Sequence, residues 1–186
     1  MRGIFIGLGS NLPFDTLMPH EVLQQAVRMM PDYGLCVLKA SSIYETPPFP
    51  DASQPKFANA VVEIETQLSA NDLLKACLDL EQQFDRCRDQ RWGARTLDID
   101  VLCYNEAVLP EEQLWGSYAA ADDVVINDLV LPHPRLHKRA FVVIPFCDIA
   151  PQWVHPVLKK PVDQLLDQIR VEGETDGIKR ISSKLL

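Results

Sequence analysis

Residues 86–104 read RCRDQRWGARTLDIDVLCY, and the second half of this stretch alternates between aliphatic and acidic side chains. The aliphatic positions are Leu97, Ile99 and Val101, and the acidic positions are Asp98 and Asp100. Successive side chains of a β-strand point to opposite faces, so this alternation predicts a strand with one apolar face. We therefore expect the strand to pack on a core through its aliphatic residues and to present both carboxylates together on the other face.

A group of arginines precedes this strand, at Arg86, Arg88, Arg91 and Arg95. Two carboxylates this close repel each other unless a cation offsets their charge. Carboxylates bind Mg²⁺ through one or two oxygens and leave its other positions to water and phosphates, and guanidinium groups bind phosphate oxygens in pairs. The stretch therefore predicts a site for magnesium and a polyphosphate. The alternative is an ordinary half-buried strand with a solvated acidic face and a few surface ion pairs.

The overall composition limits the classes of partner. The chain has 186 residues, which is enough for one domain with a real core. Its net charge of −8 argues against a nucleic-acid partner, which requires a broad basic face. No apolar run approaches the roughly 18 residues needed to cross a membrane. The five cysteines show no metal-site spacing, and we interpret them as reduced thiols in a cytoplasmic protein.

The order of predicted elements indicates the fold class. We predict strands over residues 2–8, 35–45, 57–66 and 97–104, with helices over 17–30 and from Ser69 onward. This order of strand–helix–strand–strand–helix–strand indicates an α+β fold with a ferredoxin-like core. Because the strands alternate instead of forming solid apolar runs, we expect a mainly antiparallel sheet with helices packed against it.

Three further segments complete the predicted organisation. Residues 107–123 are weakly patterned, and we predict a hairpin arm or a lid-like excursion. Residues 162–170 are expected to form a last helix. We predict a single domain over residues 1–170, with residues 171–186 as a tail that forms a short strand or stays loose.

Two other segments are candidates for ligand contact. Phe57 and Asn59 share a face at the start of a predicted strand, where an aromatic ring and an amide could bind a flat heterocycle. The simpler interpretation of Asn59 is a surface amide. The loop before this strand contains four prolines and should be stiff, so it is either a binding wall or a connector. His133 lies between two prolines in a second basic cluster over residues 132–139, which makes it a candidate for phosphate contact.

Several of these motifs coincide with one family. The matching blocks, in chain order, are GSNL (9–12), SIYETPP (42–48), FANA (57–60), RCR (86–88), RWGARTLDID (91–100) and LPHPRLHKRAF (131–141). On these blocks the chain resembles the 6-hydroxymethyl-7,8-dihydropterin pyrophosphokinases of folate biosynthesis. The block over residues 91–100 is the most specific of them. Ala94 departs from the proline that is usual before the arginine in this block.

The resemblance implies a magnesium-dependent transfer of pyrophosphate from the co-substrate ATP to the hydroxymethyl oxygen of the pterin, with release of AMP. Asp98 and Asp100 would then hold two Mg²⁺ ions on the triphosphate. The expected catalytic arginines are Arg86 and Arg95, which would stabilise charge near the transferred group. The expected ATP-binding residues are Glu81, Arg88, His133 and Arg139.

The resemblance also implies a pterin site. The ring would stack between Phe57 and Phe141, and its edge would be recognised by Asn59 and by the backbone around Thr46, Pro47 and Pro48. Trp92 would lie on a mobile loop that closes over the site. The implied partners are these small molecules, and we expect a monomer that binds neither nucleic acid nor membrane. Two alternatives are a relative that binds nucleotide or pterin without chemistry and a small ferredoxin-like module for ligand sensing or assembly.

Overall fold

The computed structural model of the protein describes residues 3–48, 52–85, 94–121, 128–173 and 175–185. The strands in these ranges are β1 (Ile4–Ser10), β2 (Cys36–Ala40), β3 (Ser42–Thr46), β4 (Phe57–Glu65), β5 (Asp98–Tyr104) and β6 (Lys179–Lys184). The α-helices are α1 (Pro19–Met29), α2 (Ala70–Gln82), α3 (Glu112–Ala120), α4 (Ala140–Ile149) and α5 (Val162–Val171). Short 3-10 helices lie at Met30–Tyr33 and Leu136–Lys138.

The strands form one sheet in the order β5-β1-β4-β3-β6, with β2 paired to β4 beside β3. The pairings among the described strands are antiparallel. The predicted α+β class with a mainly antiparallel sheet is therefore confirmed. The single strand predicted over residues 35–45 is divided at Ser41, because the Ser41 hydroxyl accepts the N–H of Val61 in place of a backbone carbonyl (2.9 Å).

The two faces of the sheet carry different layers. Helices α1 and α2 cover one face and bury the predicted aliphatic residues of β5, together with the alternate residues of β4, which are Ala58, Ala60, Val62 and Ile64. Helices α4 and α5 pack against the opposite face, where they enclose Phe5, Val61 and Leu102. Asp98 and Asp100 share this second face of the sheet with Leu102, as the alternation along β5 requires.

Residues close in the chain determine where α2 begins and where the turn after α1 ends. The N–H of Asp72 donates to the hydroxyl of Ser69 (3.2 Å), so Ser69 is the N-cap of α2, and the helix predicted from Ser69 onward is confirmed. After α1, the 3-10 turn ends at Gly34, whose φ of 76° is readily adopted only by glycine. The helix predicted over residues 17–30 is therefore observed as α1 followed by this turn.

In its described residues, 107–121, the weakly patterned arm contains α3, so the prediction of a hairpin there was wrong, and the alternative of a lid-like excursion stays a prediction. Only Trp115 and Ala119 are buried among the residues of α3. Two buried positions do not make the amphipathic stripe by which a helix is recognised from sequence. At the C-terminus, β6 pairs with β3 at the edge of the sheet.

Candidate functional site

A cleft opens on the sheet face that α4 covers only in part. It encloses about 310 Å³ of space, which includes open solvent. Its lining comes from β1, β4, β5 and the first turn of α4, and the residues are Gly7, Leu8, Gly9, Asn59, Ala60, Val61, Asp98, Asp100, Leu102, Phe141 and Val142. The structure therefore brings four predicted site residues to one cleft, namely Asn59, Asp98, Asp100 and Phe141.

Two glycines of β1 keep this cleft open. Gly9 is paired with both Asn59 and Asp98, and Gly7 is paired with Asp100. A Cβ atom at Gly9 would lie 3.0 Å from Oδ1 of Asn59, which is closer than an ordinary contact. Side chains on β1 would therefore fill the space between the aspartates and the amide.

Each aspartate of β5 has a basic partner. Arg95 Nη1 lies 2.6 Å from Asp98 Oδ1. Arg139 Nη1 lies 3.3 Å from Asp100 Oδ2, and His133 Nε2 is 4.0 Å from the same oxygen. The Asp98 and Asp100 side chains are 25% and 37% exposed, so both remain accessible to a ligand in the cleft. The structure thus gathers the predicted catalytic Arg95 and the predicted ATP contacts His133 and Arg139 around the two acids.

His133 is arranged to act as a neutral hydrogen-bond donor. Its Nδ1 accepts the backbone N–H of Arg135 (3.1 Å), so Nε2 carries the proton of the neutral ring. Burial, together with the charges of Arg139 and Arg135, lowers the pKa of His133 well below its usual value. At neutral pH the side chain therefore presents an N–H toward Asp100 without adding positive charge.

Arg139 joins the acidic part of the cleft to its aromatic part. This residue precedes the first turn of α4, and its guanidinium carbon lies 5.5 Å from the ring centroid of Phe141. A guanidinium over an aromatic ring is attracted by the ring quadrupole. The same group also contacts Asp100. Arg139 is therefore positioned between the carboxylates and the ring that we predict to stack on the pterin.

Asn59 is oriented by a neighbouring strand. Its Nδ2 donates to the hydroxyl of Thr46 (2.8 Å), and both residues are buried. Thr46 pairs with Phe57 across β3 and β4, so the predicted pterin contacts lie on adjacent strand ends. Phe57, Pro47 and Pro48 do not line the cleft described above. The stacking of a pterin on Phe57 and its recognition by the backbone of residues 46–48 remain predictions.

Glu81 of α2 lies behind the aspartate strand. The side chain is fully buried, and Oε1 accepts the backbone N–H of Ile99, at 2.6 Å, between the two aspartates. This bond supports the backbone of β5 on the edge that faces away from β1. A contact between Glu81 and ATP remains a prediction, and the structure shows the carboxylate engaged with the protein backbone.

Three predicted residues, Arg86, Arg88 and Trp92, lie outside the described residues. The described residues before and after this range are joined by a hydrogen bond, in which the hydroxyl of Thr96 donates to the carbonyl of Phe84.

Asn11 is a site residue that sequence reasoning did not identify. Its Oδ1 accepts the backbone N–H of Arg95 (2.7 Å), and its own N–H donates to the carbonyl of Arg95 (3.1 Å). Its Nδ2 donates to Gln54 Oε1 (3.2 Å) and lies 3.4 Å from the Pro55 carbonyl. Asn11 therefore connects the backbone of Arg95 to the proline-rich loop. Its place in the GSNL block was the only sequence signal.

Comparisons with known proteins identify the family of this chain. A family model described as 7,8-dihydro-6-hydroxymethylpterin-pyrophosphokinase (HPPK) matches residues 5–151. The 2-amino-4-hydroxy-6-hydroxymethyldihydropteridine pyrophosphokinase of Methylorubrum extorquens is 36% identical over 154 residues, covering 83% of this chain and 86% of the relative. The protein of the same name from Bacillus subtilis is 33% identical over 175 residues, covering 94% of this chain and 92% of the relative.

Solved structures show the same fold. Two structures of Plasmodium falciparum HPPK-DHPS match this chain with TM-scores of 0.65 and 0.70, at 15% and 14% identity. The matches cover 97% of this chain and 47% of each solved chain, so this chain spans about half the length of those proteins. The family match and the two relatives with high coverage show that this chain belongs to the 7,8-dihydro-6-hydroxymethylpterin-pyrophosphokinase family, whose members are ATP-dependent diphosphotransferases.

Proposed function

We propose that this protein transfers pyrophosphate from ATP to 6-hydroxymethyl-7,8-dihydropterin in a magnesium-dependent reaction that releases AMP. The hydroxymethyl oxygen forms a bond to the β-phosphorus of ATP and loses its proton. The bond between the β-phosphorus and the oxygen that bridges to the α-phosphate breaks, and AMP leaves with that oxygen. The proposal depends on one observation above all, which is that Asp98 and Asp100 line the same cleft as Asn59 and Phe141.

The carboxylate pair suits Mg²⁺. Asp98 and Asp100 offer hard oxygen ligands on one strand face, and both are partly exposed. Within the described ranges, no group of three or more His, Cys, Asp or Glu side chains could enclose a metal ion. An ion held here would therefore take its other ligands from water and from phosphate oxygens, which is the usual coordination of Mg²⁺ in phosphoryl-transfer enzymes. Two bound Mg²⁺ ions would neutralise triphosphate charge.

The basic side chains around the acids have separate roles. Arg95, whose guanidinium already lies at the Asp98 carboxylate, stabilises the charge that develops on the transferred group. Arg139 and His133 converge on Asp100 and donate hydrogen bonds to the ATP phosphates. Phe141 and Asn59 hold the pterin by stacking and by hydrogen bonds to its edge.

The direct test is to incubate the protein with MgATP and the hydroxymethyl pterin and to separate the nucleotides. We expect AMP in equal amount to the pterin diphosphate, and no product when Mg²⁺ is removed by a chelator. Release of ADP would mean transfer of a single phosphoryl group and would contradict the proposal. Binding of MgATP and pterin without any AMP would favour the alternative of a relative that binds without chemistry.

Two substitutions test the metal role. Asp98→Asn and Asp100→Asn keep the side-chain shape and remove the charge, and each should lower kcat by at least about 100-fold, the scale of losing a main electrostatic group. Asp167→Asn is the control, because this aspartate is an exposed carboxylate paired with Arg170 away from the cleft. Turnover retained in both cleft variants would exclude the aspartates as metal ligands.

We also propose that the protein acts in the cytoplasm. None of the described helices has the length and apolar character needed to span a bilayer. The cysteines in the described ranges, Cys36, Cys77, Cys103 and Cys147, are not disulfide-bonded, which supports a reducing compartment such as the cytoplasm. We also propose a monomer, which sedimentation analysis can test.

A further inference from the structure

Helix α3 holds the segment that carries His133 at both of its ends. We call residues 132–138 the basic segment. The indole N–H of Trp115 donates a 2.6 Å hydrogen bond to the carbonyl of Pro132. At the other end, Lys138 Nζ donates to the carbonyl of Ala119 (2.8 Å). The helix α3 therefore binds both the start and the end of the basic segment. The family resemblance had assigned no role to this helix.

The ring of Trp115 is itself held firmly. The residue is only 2% exposed, and its ring centroid lies 5.1 Å from that of His155 and 5.9 Å from that of His137. His155 is fixed in turn, because its Nδ1 faces the backbone N–H groups of Val157 and Leu158 at 3.2 Å. A buried hydrogen bond from such a confined donor restrains its acceptor strongly.

The basic segment has a third attachment, on the cleft side. The N–H of His133 donates to the carbonyl of Leu102 (2.7 Å), at a point where the register between β1 and β5 shifts. The Pro132 carbonyl and the His133 N–H belong to the same peptide group, so the Trp115 bond and the Leu102 bond hold this one group from opposite sides. Together they set the position of His133 Nε2 at 4.0 Å from Asp100 Oδ2.

We propose that Trp115 is a positioning residue that holds the basic segment so that His133 meets the phosphates of ATP. The inference rests on the proposed function, since it assigns His133 to the nucleotide. Trp115 does not line the cleft and does not touch a reacting atom. Its effect therefore passes through the carbonyl of Pro132 and reaches the nucleotide, while pterin binding is unchanged.

The test compares two tryptophans. Trp115→Phe removes the indole N–H and part of the ring. Trp153→Phe removes the same atoms from a ring that is equally buried, at 2% exposure, but whose N–H has no hydrogen-bond partner among the described residues. The two variants therefore lose similar packing, and only the first loses a bond to the basic segment.

We expect Trp115→Phe to raise the KM for MgATP and the Kd for MgATP by about three- to tenfold, the range expected for one net hydrogen bond. The KM for the pterin should change less than about twofold on the same argument. Trp153→Phe should leave all three constants near those of the wild type, although both variants should lower the unfolding temperature. An unchanged KM for MgATP in Trp115→Phe, or an equal rise in Trp153→Phe, would overturn the inference.

Calorimetric titration with MgATP alone separates this inference from the proposed function. A wild-type protein that binds MgATP but releases no AMP would refute the function, and the Kd values of the two variants would still decide the role of Trp115. A wild-type protein that neither binds MgATP nor releases AMP would overturn both.

A second pair of variants covers the case in which Trp115→Phe does not fold. Lys138→Gln, at an exposed position, removes the ammonium group that donates to the carbonyl of Ala119 in α3. Lys160→Gln is its control, because the charges of Lys138 and Lys160 both act on His137. Lys138→Gln should raise the Kd for MgATP more than Lys160→Gln does, and equal values would overturn the inference.

Discussion

Gly9→Ala tests whether the cleft between Asn59 and Asp98 is the pterin site. The added methyl group would lie 3.0 Å from Asn59 Oδ1 and 4.0 Å from the Asp98 Cβ. The first distance is short, so the Asn59 amide must move by a few tenths of an ångström. The amide is buried and its Nδ2 is bound to Thr46 at 2.8 Å, so it cannot move without weakening that bond.

The expected changes in stability and in the KM for the pterin can be calculated. Overpacking of a buried site costs about 1–3 kcal/mol, whereas replacing a strand glycine by alanine stabilises by about 0.4–1 kcal/mol through the unfolded chain. The net loss of about 1 kcal/mol should lower Tm by about 2–4 °C for a chain of this size. Misdirecting one amide hydrogen bond, worth about 1 kcal/mol, should raise the KM for the pterin about fivefold.

The assay measures AMP release at varied pterin and at varied ATP. We expect the KM for the pterin to rise and the KM for MgATP to stay within about twofold, since the added methyl costs roughly one hydrogen bond and only at the pterin side. Gly116→Ala is the control, because a methyl there meets no atom within 4 Å on an exposed position of α3. It should stabilise the protein by about 0.5–1 kcal/mol without changing either constant. A Gly9→Ala protein with the wild-type KM for the pterin would refute our assignment of this cleft.

Three other predictions concern the arginine, its support and the pH dependence of stability. Arg95→Ala should lower kcat by about 100-fold or more, with a much smaller change in the KM for MgATP, because its charge acts mainly on the transition state. Asn11→Ala removes the side-chain bond to the Arg95 backbone and should lower kcat about tenfold on the scale of one buried hydrogen bond, with a fall in Tm. Burial lowers the pKa of His155 to about 3 and that of His137 to about 4, each from 6.5. Their folded-state pKa values lie below the unfolded value, so the stability that they contribute is complete above pH 6.5 and is lost as the pH falls toward 3. The free energy of unfolding should decrease by up to about 1.4 kcal/mol per pH unit for each histidine.

Each of these predictions can fail in a specific way. If Arg95→Ala changes only the KM for MgATP, its proposed catalytic role is wrong. If Asn11→Ala lowers Tm but leaves kcat unchanged, Asn11 supports the fold and not Arg95. Chemical denaturation between pH 7 and 4 checks the histidines, and His137→Gln should show a shallower slope than the wild type. Equal slopes would exclude His137 as a contributor.

Much of the fold could be predicted because its signals are local. The alternation over residues 97–101 predicts the two faces of β5, and the structure confirms that the aliphatic positions are buried against α1 and α2. Ser69 likewise marks the start of α2 through a bond to a residue three positions away. By contrast, α3 could not be recognised, because only Trp115 and Ala119 of its residues are buried.

The alternation along residues 97–101 was enough to place the two carboxylates on one strand face, because side-chain direction along a strand follows from backbone geometry. The blocks of residues in a fixed order were enough to indicate the family. The groups that those carboxylates meet could be found only in the folded chain. Arg139 and His133 reach Asp100 because a bulge of β5 binds the basic segment, and Asn11 reaches Arg95 because β1 lies beside β5. Such contacts join residues that are distant in the chain, so they depend on strand order and helix packing, which local patterns do not encode.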